Sequence, residues 1–365
     1  MSQASPVLIM AGGTGGHIFP ALAVAESLRQ RQVPVVWLGS SGGMEEDLVR
    51  KKNIEFVGLT IKGVRGKGLW SKLMMPFKLS SAVFQAGKLI ASIEPQAILG
   101  LGGFASGPGG LAAILMRRRL IIQEQNAIPG MTNRYLAKLG ATVLEGFKGS
   151  FSELGIAATH VGNPVREAIE KIAPVTQRMR FRNGPMRVFV FGGSLGAQKL
   201  NQVVPKALEL LSEENRPEIY HQTGLKQETE TKALYSSLNL DAEVVGFVDD
   251  MAGQYSRADL VIARAGALSV TEFMHAGLAS VLVPYPHAVD DHQAVNASIL
   301  VDHQAAIMIR DEELNAEMLS DLLRELLSDR ERLMAMGESA YAQRQEQSAK
   351  RVASICLEDS EAMAA

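Results

Sequence analysis

Val7-Leu8-Ile9-Met10, followed by Gly12-Gly13-Thr14-Gly15-Gly16-His17 and then by Pro20, Leu22, Ala25 and Leu28, is the stretch that decides the fold. Four apolar residues in a row read as a strand buried on both faces, and the glycines read as a tight turn. Leu22, Ala25 and Leu28 recur at helical spacing, and Pro20 suits a first helical turn. The same grammar returns in the second half of the chain. There Val188-Phe189-Val190-Phe191 runs into Gly192-Gly193-Ser194-Leu195-Gly196-Ala197 and a helix through Leu208 and Leu211. Two such openings predict an α/β protein of two Rossmann-like domains, each with a parallel sheet covered by helices.

Further strands are expected at Val33–Leu38, Ala97–Leu101, Leu120–Gln123 and Ala141–Leu144, then at Ile219–Gln222, Val244–Val245, Leu260–Ala263 and Val281–Val283. Asn163-Pro164-Val165-Arg166 reads as the connection, because a proline restricts the residue before it. The reading is therefore a domain at 1–165, a second at 166–340, and a helix at 341–365 that crosses back to brace the first. Ligands of such sheets bind at the carboxyl ends of the strands, so two of them predict a central cleft.

Composition narrows the class. At 365 residues and 47% apolar content there is core enough for two domains. A single cysteine, Cys356, excludes an internal disulfide, and no leader precedes the first strand, which together imply a reducing, cytoplasmic setting. Pro95 to Met116 is long and uncharged, but Gly100, Gly102, Gly103, Gly107, Gly109, Gly110 and Pro108 argue for strand, loop and helix rather than a membrane span. Residues 1–165 carry seventeen Lys and Arg against nine Asp and Glu, and the remainder carries twenty against thirty. Only the first half is thus suited to an anionic surface. Nucleic acid is not expected, since no recognition helix, zinc module or aromatic-studded basic strand is present.

The glycine turns do not suit a dinucleotide: the third glycine of that fingerprint is missing, and the second strand ends in Gly39-Ser40 with no acid for a ribose. No Walker lysine follows either turn. What is left is main-chain amides at helix starts, which favour phosphate oxygens. Turns at Gly12–Gly16, Gly102–Gly110 and Gly192–Ala197 suggest more than one phosphorylated ligand, although tight strand-to-helix turns alone would account for Gly107–Gly110.

These motifs, with Gly102-Gly103-Phe104-Ala105-Ser106-Gly107-Pro108, Glu124-Gln125-Asn126, Asn163-Pro164-Val165-Arg166, Arg264-Ala265-Gly266-Ala267-Leu268-Ser269-Val270-Thr271-Glu272 and Asp290-Asp291-His292-Gln293, closely resemble the MurG family over nearly the whole chain. Those enzymes are the undecaprenyl-diphospho-muramoylpentapeptide N-acetylglucosaminyltransferases of peptidoglycan synthesis. The resemblance implies a GT-B fold and inverting transfer from UDP-N-acetylglucosamine to the 4-hydroxyl of a lipid-linked muramic acid, with no cofactor. It implies a donor site of Thr14, Gly15, Gly16, Asn126, Arg166, Ser194, Val248, Arg264, Ala267, Leu268, Ser269, Val270, Thr271, Glu272 and Gln293. Within it Glu272 takes the ribose hydroxyls, the Val248 amide the uracil edge, Ser194 a phosphate, and Gln293 with Asn126 the sugar. Gly13, Gly103, Phe104, Ala105 and Ser106 would hold the acceptor diphosphate. Ala265 departs from the serine of many relatives. Cell-wall synthesis and division proteins are the implied partners.

A base must take the acceptor proton. His17 has a fitting intrinsic pKa, with packing at a helix start as the alternative role, and Glu124 is the rival base. No acidic pair demands a metal: Asp249-Asp250 reads as a helix N-cap, and Asp290-Asp291 lies in a loop. Metal-independent chemistry is expected, with a helix dipole and Arg264 or Arg166 in place of the cation. Between Phe56 and Ile93, Lys62, Arg65, Lys67, Lys72, Lys78 and Lys88 occur with no acid. Leu69, Trp70, Leu73, Met74, Met75 and Phe77 interleave with them, a pattern of interfacial anchors, and Arg117-Arg118-Arg119 would reinforce it. Together with the resemblance, this implies a peripheral location on the cytoplasmic face of the bacterial inner membrane. A UDP-N-acetylglucosamine 2-epimerase of the same fold is the rival enzyme; an exported sugar-binding protein would carry a leader.

Overall fold

Strand β1, Val7–Ala11, has all five side chains fully buried. Successive side chains serve opposite faces. Val7, Ile9 and Ala11 join a cluster with Ile18, Val24 and Leu28, whereas Leu8 and Met10 join one with Ala82, Ala86 and Ile90. Each such aliphatic residue contributes about 2 kcal/mol on leaving water, so the run has only one stable place, inside a sheet covered on both sides.

In the computed structural model, which describes residues 5–59, 75–193 and 196–358, the chain divides into two units, Met1–Arg166 with Gln345–Ala365, and Glu167–Arg344. The first holds a parallel sheet of β1, β2 (Val35–Ser40), β3 (Glu55–Leu59), β4 (Ala97–Gly102), β5 (Leu120–Glu124), β6 (Thr142–Glu145) and β7 (Thr159–His160), in the order β3-β2-β1-β4-β5-β6-β7. The second holds β8 (Arg187–Phe191), β9 (Glu218–Gln222), β10 (Glu243–Val245), β11 (Leu260–Ala263), β12 (Ala279–Leu282) and β13 (Ala306–Met308), in the order β10-β9-β8-β11-β12-β13. In each the order reverses beside the first strand. The switch points lie between β1 and β4 and between β8 and β11, where diverging connections leave room for a ligand.

The expected strands are all present, shifted by one or two residues at their ends. Three more, β3, β7 and β13, were not read. They sit at sheet edges, and β3 carries Glu55 and Gly58 while β7 and β13 have two and three residues. One reading is corrected: the helix opens at Gly15 and runs to Gln30, so Pro20 lies inside it rather than in its first turn.

The helix Ser348–Leu357 packs on Gly15–Gln30 in the first unit. Arg31 donates to Ser354 Oγ at 2.9 Å. Arg119 donates to the carbonyls of Ile355 (2.5 Å) and Cys356 (2.9 Å) and pairs with Glu358 at 3.2 Å. Arg119 therefore caps a helix C-terminus, where positive charge is favoured, instead of reinforcing a membrane patch.

A buried polar group in the second unit sets a pH limit. His221 on β9 takes Tyr235 OH at 2.9 Å on Nδ1 and meets Asn201 Oδ1 at 3.1 Å through Nε2. Burial pushes its pKa down to about 3. The folded state thus keeps it neutral while the unfolded chain binds a proton below about 6.5. Stability is full above that value and falls as pH drops toward 3, by up to about 1.4 kcal/mol per pH unit. Urea unfolding between pH 7 and 4 is expected to show this slope, and His221→Gln to reduce it; an unchanged slope would remove His221 as its source.

Candidate active site

At the first switch point the loops after β1 and β4 press against each other. A side chain on Gly103, whose φ is +80°, would meet Gly12 O at 2.1 Å, so only glycine fits. A register shift between Met10 and Ala11 marks the end of the β1–β4 pairing, a bulge of the kind that re-aims chain beside a site. The helix Gly15–Gln30 then starts from Thr14, whose side chain makes no cap hydrogen bond. His17 and Ile18 donate to Thr14 O. The amides of Gly15 and Gly16 keep no partner among the described residues, as the first turn of a helix dictates. The Gly13 amide, expected to face a diphosphate, donates to the buried Glu45 carboxylate at 3.3 Å.

At the start of the helix Ser106–Leu115 the result is divided. Phe104 is partly exposed and Ala105 buried. The Ser106 hydroxyl turns inward, its one proton shared between Gly102 O (2.7 Å) and Met10 O (2.9 Å), and accepts from Gly102 N (3.1 Å). In this arrangement it holds the two strand ends together.

His17 is half-buried, and its Nδ1 lies 2.7 Å from Gln125 Oε1. Its ring occupies the space that a side chain on Gly102 would need, with Cε1 2.8 Å from that position. Glu124 behaves differently from a base. Its carboxylate is 1% exposed and accepts from Asn126 N (2.9 Å), Asn126 Nδ2 (3.0 Å), Gly130 N (2.9 Å) and Asn133 Nδ2 (2.9 Å). Four donors engage its two oxygens, so it anchors the loop into the helix Met131–Lys138 and is corrected from rival base to structural anchor. Arg166 belongs to the first unit, its guanidinium 5.0 Å from the Phe19 ring centre.

In the second unit β11 passes through Arg264 into the helix Ala267–Ala276, whose N-cap, Gly266, offers no side chain. The amides of Ala267, Leu268 and Ser269 have no partner among the described residues, and the helix dipole adds partial positive charge there. Glu272 is buried rather than solvated, and Tyr255 OH donates to its Oε2 at 2.8 Å. Val270 and Thr271 are buried, and Thr271 Oγ1 bonds back to Ala267 O. Val248 is buried beyond the end of β10. Gln293, in the helix His292–Val301, accepts from Tyr285 N at 2.9 Å. Arg264 Nη1 pairs with Asp311 at 2.5 Å and donates to Val283 O and Pro284 O at 3.1 Å, so part of its charge is already balanced within the unit.

The two units correspond to two known domains. The glycosyltransferase family 28 N-terminal domain matches residues 7–144 and the C-terminal domain of the same family residues 187–352. This chain belongs to glycosyltransferase family 28. The UDP-N-acetylglucosamine--N-acetylmuramyl-(pentapeptide) pyrophosphoryl-undecaprenol N-acetylglucosamine transferase of Chromohalobacter salexigens is 48% identical over 98% of this chain and 97% of its own. The crystal structure of Acinetobacter baumannii MurG matches with a TM-score of 0.81 at 39% identity, over 97% of this chain and 99% of that one. The UDP-N-acetylglucosamine 2-epimerase of Neisseria meningitidis, at 12% identity and a TM-score of 0.64 over 97% of this chain and all of that one, shares the fold alone. The chain is thus a GT-B-type N-acetylglucosamine transferase.

Other family-28 residues singled out in the sequence fall elsewhere. Ser194, with Leu69, Trp70, Lys72, Leu73 and Met74 of the basic and apolar patch, lies outside the described residues; Phe77 and Lys78 are described and exposed. Asp250 is an N-cap, accepting from Gly253 N at 2.9 Å, and Asp291 pairs with Arg310 at 2.7 Å. Among the described residues no cluster of three or more His, Cys, Asp or Glu could hold a metal. Sequence reasoning missed Gln123 and Asn163, both buried and bonded toward His17's partner. Asn163 was read as connection. The one available signal was its place in a shared motif.

Removing the Glu124 carboxylate strands buried donors. Glu124→Ala is expected to lower stability by roughly 2–4 kcal/mol, read as a shifted urea midpoint. A variant of unchanged midpoint that has lost transfer would instead return Glu124 to the chemistry.

Proposed function

We propose that this chain transfers N-acetylglucosamine from UDP-N-acetylglucosamine to the 4-hydroxyl of the muramic acid of an undecaprenyl-diphospho-muramyl-pentapeptide, with inversion, as a step of peptidoglycan synthesis. The observation that carries this reading is the pair of switch points opening onto helix starts with unpaired amides, in a chain 48% identical end to end to a transferase of that name. Such amides recognise diphosphates, and both substrates carry one.

In this reading the Glu167–Arg344 unit takes the donor. The amides of Ala267, Leu268 and Ser269 meet the pyrophosphate, and the dipole of their helix stabilises the charge that grows on departing UDP. Glu272, oriented by Tyr255, accepts from the ribose hydroxyls. Val248 supplies the uracil contact and Gln293 a sugar contact. The first unit takes the acceptor, with the main chain around Gly103 and Ala105 on its diphosphate. The acceptor oxygen bonds to the anomeric carbon as the bond to the β-phosphate oxygen breaks; UDP leaves with the electron pair, and His17 receives the hydroxyl proton. These residues supply binding charge through main-chain dipoles, and the reaction as written calls on no cofactor.

Transfer of labelled sugar from UDP-N-acetylglucosamine to a short-chain lipid acceptor is the test. His17→Ala is expected to lower kcat by about 10²–10⁴-fold, and Glu272→Ala to raise the donor KM. Label released from the donor without an acceptor, or epimerised sugar, would refute the reading.

The acceptor's lipid calls for a membrane surface. Among the described residues no helix is long and apolar enough to cross a bilayer. We place membrane docking on the face built by Met75–Ile93, Ser106–Leu115 and Met131–Lys138, which cover one side of the first sheet. Ala82, Ala86 and Ile90 turn to the core, leaving Phe77 (71% exposed) and Phe84 (64%) outward, with Lys88 Nζ 4.7 Å from the Phe84 ring centre. Leu115 (68%) and Met131 (70%) are likewise exposed on the two neighbouring helices, as are Lys78, Arg117 and Lys138 in this part of the chain. Exposed apolar wedges together with basic residues suit anionic headgroups. Binding to anionic vesicles is expected to weaken with salt and to fall in Phe77→Ser/Phe84→Ser; equal binding to neutral vesicles would count against this face.

A further inference from the structure

Behind His17 runs a line of three buried primary amides from two segments of the first unit, the end of β5 and Asn163. Gln125 Oε1 meets His17 Nδ1 at 2.7 Å, and Gln125 Nε2 donates to Gln123 O at 2.9 Å and to Gln123 Oε1 at 2.6 Å. Gln123 Nε2 in turn donates to Asn163 Oδ1 (3.0 Å) and Glu124 O (3.2 Å), and Asn163 Nδ2 donates to Gln125 O (2.9 Å). All three residues are at most 2% exposed.

An amide can be turned end for end, so its orientation must be argued from its partners. Here each amide is fixed by a main-chain carbonyl, which can only accept: Gln123 O holds the Gln125 nitrogen, Glu124 O the Gln123 nitrogen, and Gln125 O the Asn163 nitrogen. The oxygen of Gln125 must then face the imidazole. A carbonyl oxygen cannot donate, so in neutral His17 the proton resides on Nδ1 and the lone pair on Nε2. Two glycines make the space. A side chain on Gly146 would lie 1.9 Å from Asn163 Oδ1, and one on Gly102 would strike the His17 ring.

We propose that Gln125, backed by Gln123 and Asn163, is a positioning residue that locks His17 in the Nδ1–H tautomer and so presents Nε2 as the basic nitrogen. The catalytic consequence rests on His17 being the base; the tautomer itself does not. The free histidine side chain in water favours the opposite tautomer, with the proton on Nε2, so the lock has a distinct spectroscopic signature. Among the described residues Nε2 has no hydrogen-bond partner, which leaves it open to a substrate hydroxyl.

The experiment is a long-range ¹H–¹⁵N correlation spectrum of the full chain with ¹⁵N-labelled histidine at about pH 8.5, above the imidazole titration, with His17 assigned by its loss in His17→Asn. Nδ1–H is the expected form in the unmodified protein, and Nε2–H there would overturn the proposal without any variant. Gln125→Leu removes the acceptor and is expected to shift His17 toward Nε2–H and to lower kcat by about 10²-fold or more at little change in donor KM. Gln125→Glu keeps an acceptor and should retain the tautomer and recover most of that loss. A folded Gln125→Leu that stays Nδ1–H would also overturn the lock. Full activity in His17→Asn, with Nδ1–H observed in the unmodified chain, would leave the lock standing and remove His17 as base.

Discussion

A parallel sheet delivers every strand to the same edge, and where the strand order reverses, successive connections leave in opposite directions. Both units of this chain are organised by that constraint, at the ends of β1 and β4 and of β8 and β11. It explains why glycine clusters follow the first strand of each sheet. At the first switch point the backbones crowd one another, Gly103 against Gly12; beside the other neighbour of β8, a side chain on Gly196 would meet Thr223 O, just after β9, at 1.8 Å. The amides that begin the next helix are left facing outward. On the proposed reading anion recognition falls to the main chain, whose donors are set by the fold and cost no side-chain ordering.

The arginines complete this scheme from the other side. Arg178 donates to Ala276 O and Gly277 O at the end of the helix Ala267–Ala276, opposite the end with unpaired amides. Burial draws its pKa down to about 10, yet it stays charged at neutral pH and meets the negative pole of that helix. Arg182 does the same for the helix Met251–Arg257 and pairs with the buried Asp259 at 2.5 Å. Arg119 caps the helix Ser348–Leu357 and Arg264 is matched by Asp311. Of these, Arg119 and Arg264 are the two that a reading of the sequence assigns elsewhere, to a membrane patch and to the donor.

Why some features were legible in the sequence and others were not follows from the same physics. Val7–Ala11 and Val188–Phe191 announce themselves because a strand covered on both faces must be continuously apolar. The edge strands β3, β7 and β13 carry no such requirement and left no pattern. The helix-start amides could be placed from glycine and strand order alone. Side-chain roles could not: Glu124 and His17 both follow β-strand ends, but four donors converge on one and a single amide oxygen on the other. The His17–Gln125 contact spans 108 positions, and Asn163 reaches the same cluster from a Pro-flanked motif that reads as a connection. Such convergence is a property of the closed sheet and is invisible along the chain.

A neutral amide stands behind the imidazole, where a carboxylate is an equally simple choice. A carboxylate there would bring a further full charge into a cluster that already buries Glu124, and two like unit charges about 6 Å apart at an effective dielectric of 20 repel by about 3 kcal/mol. An amide fixes the tautomer by hydrogen bonding alone and adds no net charge. The carboxylates that the first unit does bury by these loops are wrapped in donors, Glu45 by the amides of Gly13 and Ser40 and Glu124 by four groups. The negative charge is thus screened where it is needed to hold loops, and an uncharged group takes the place next to the His17 ring.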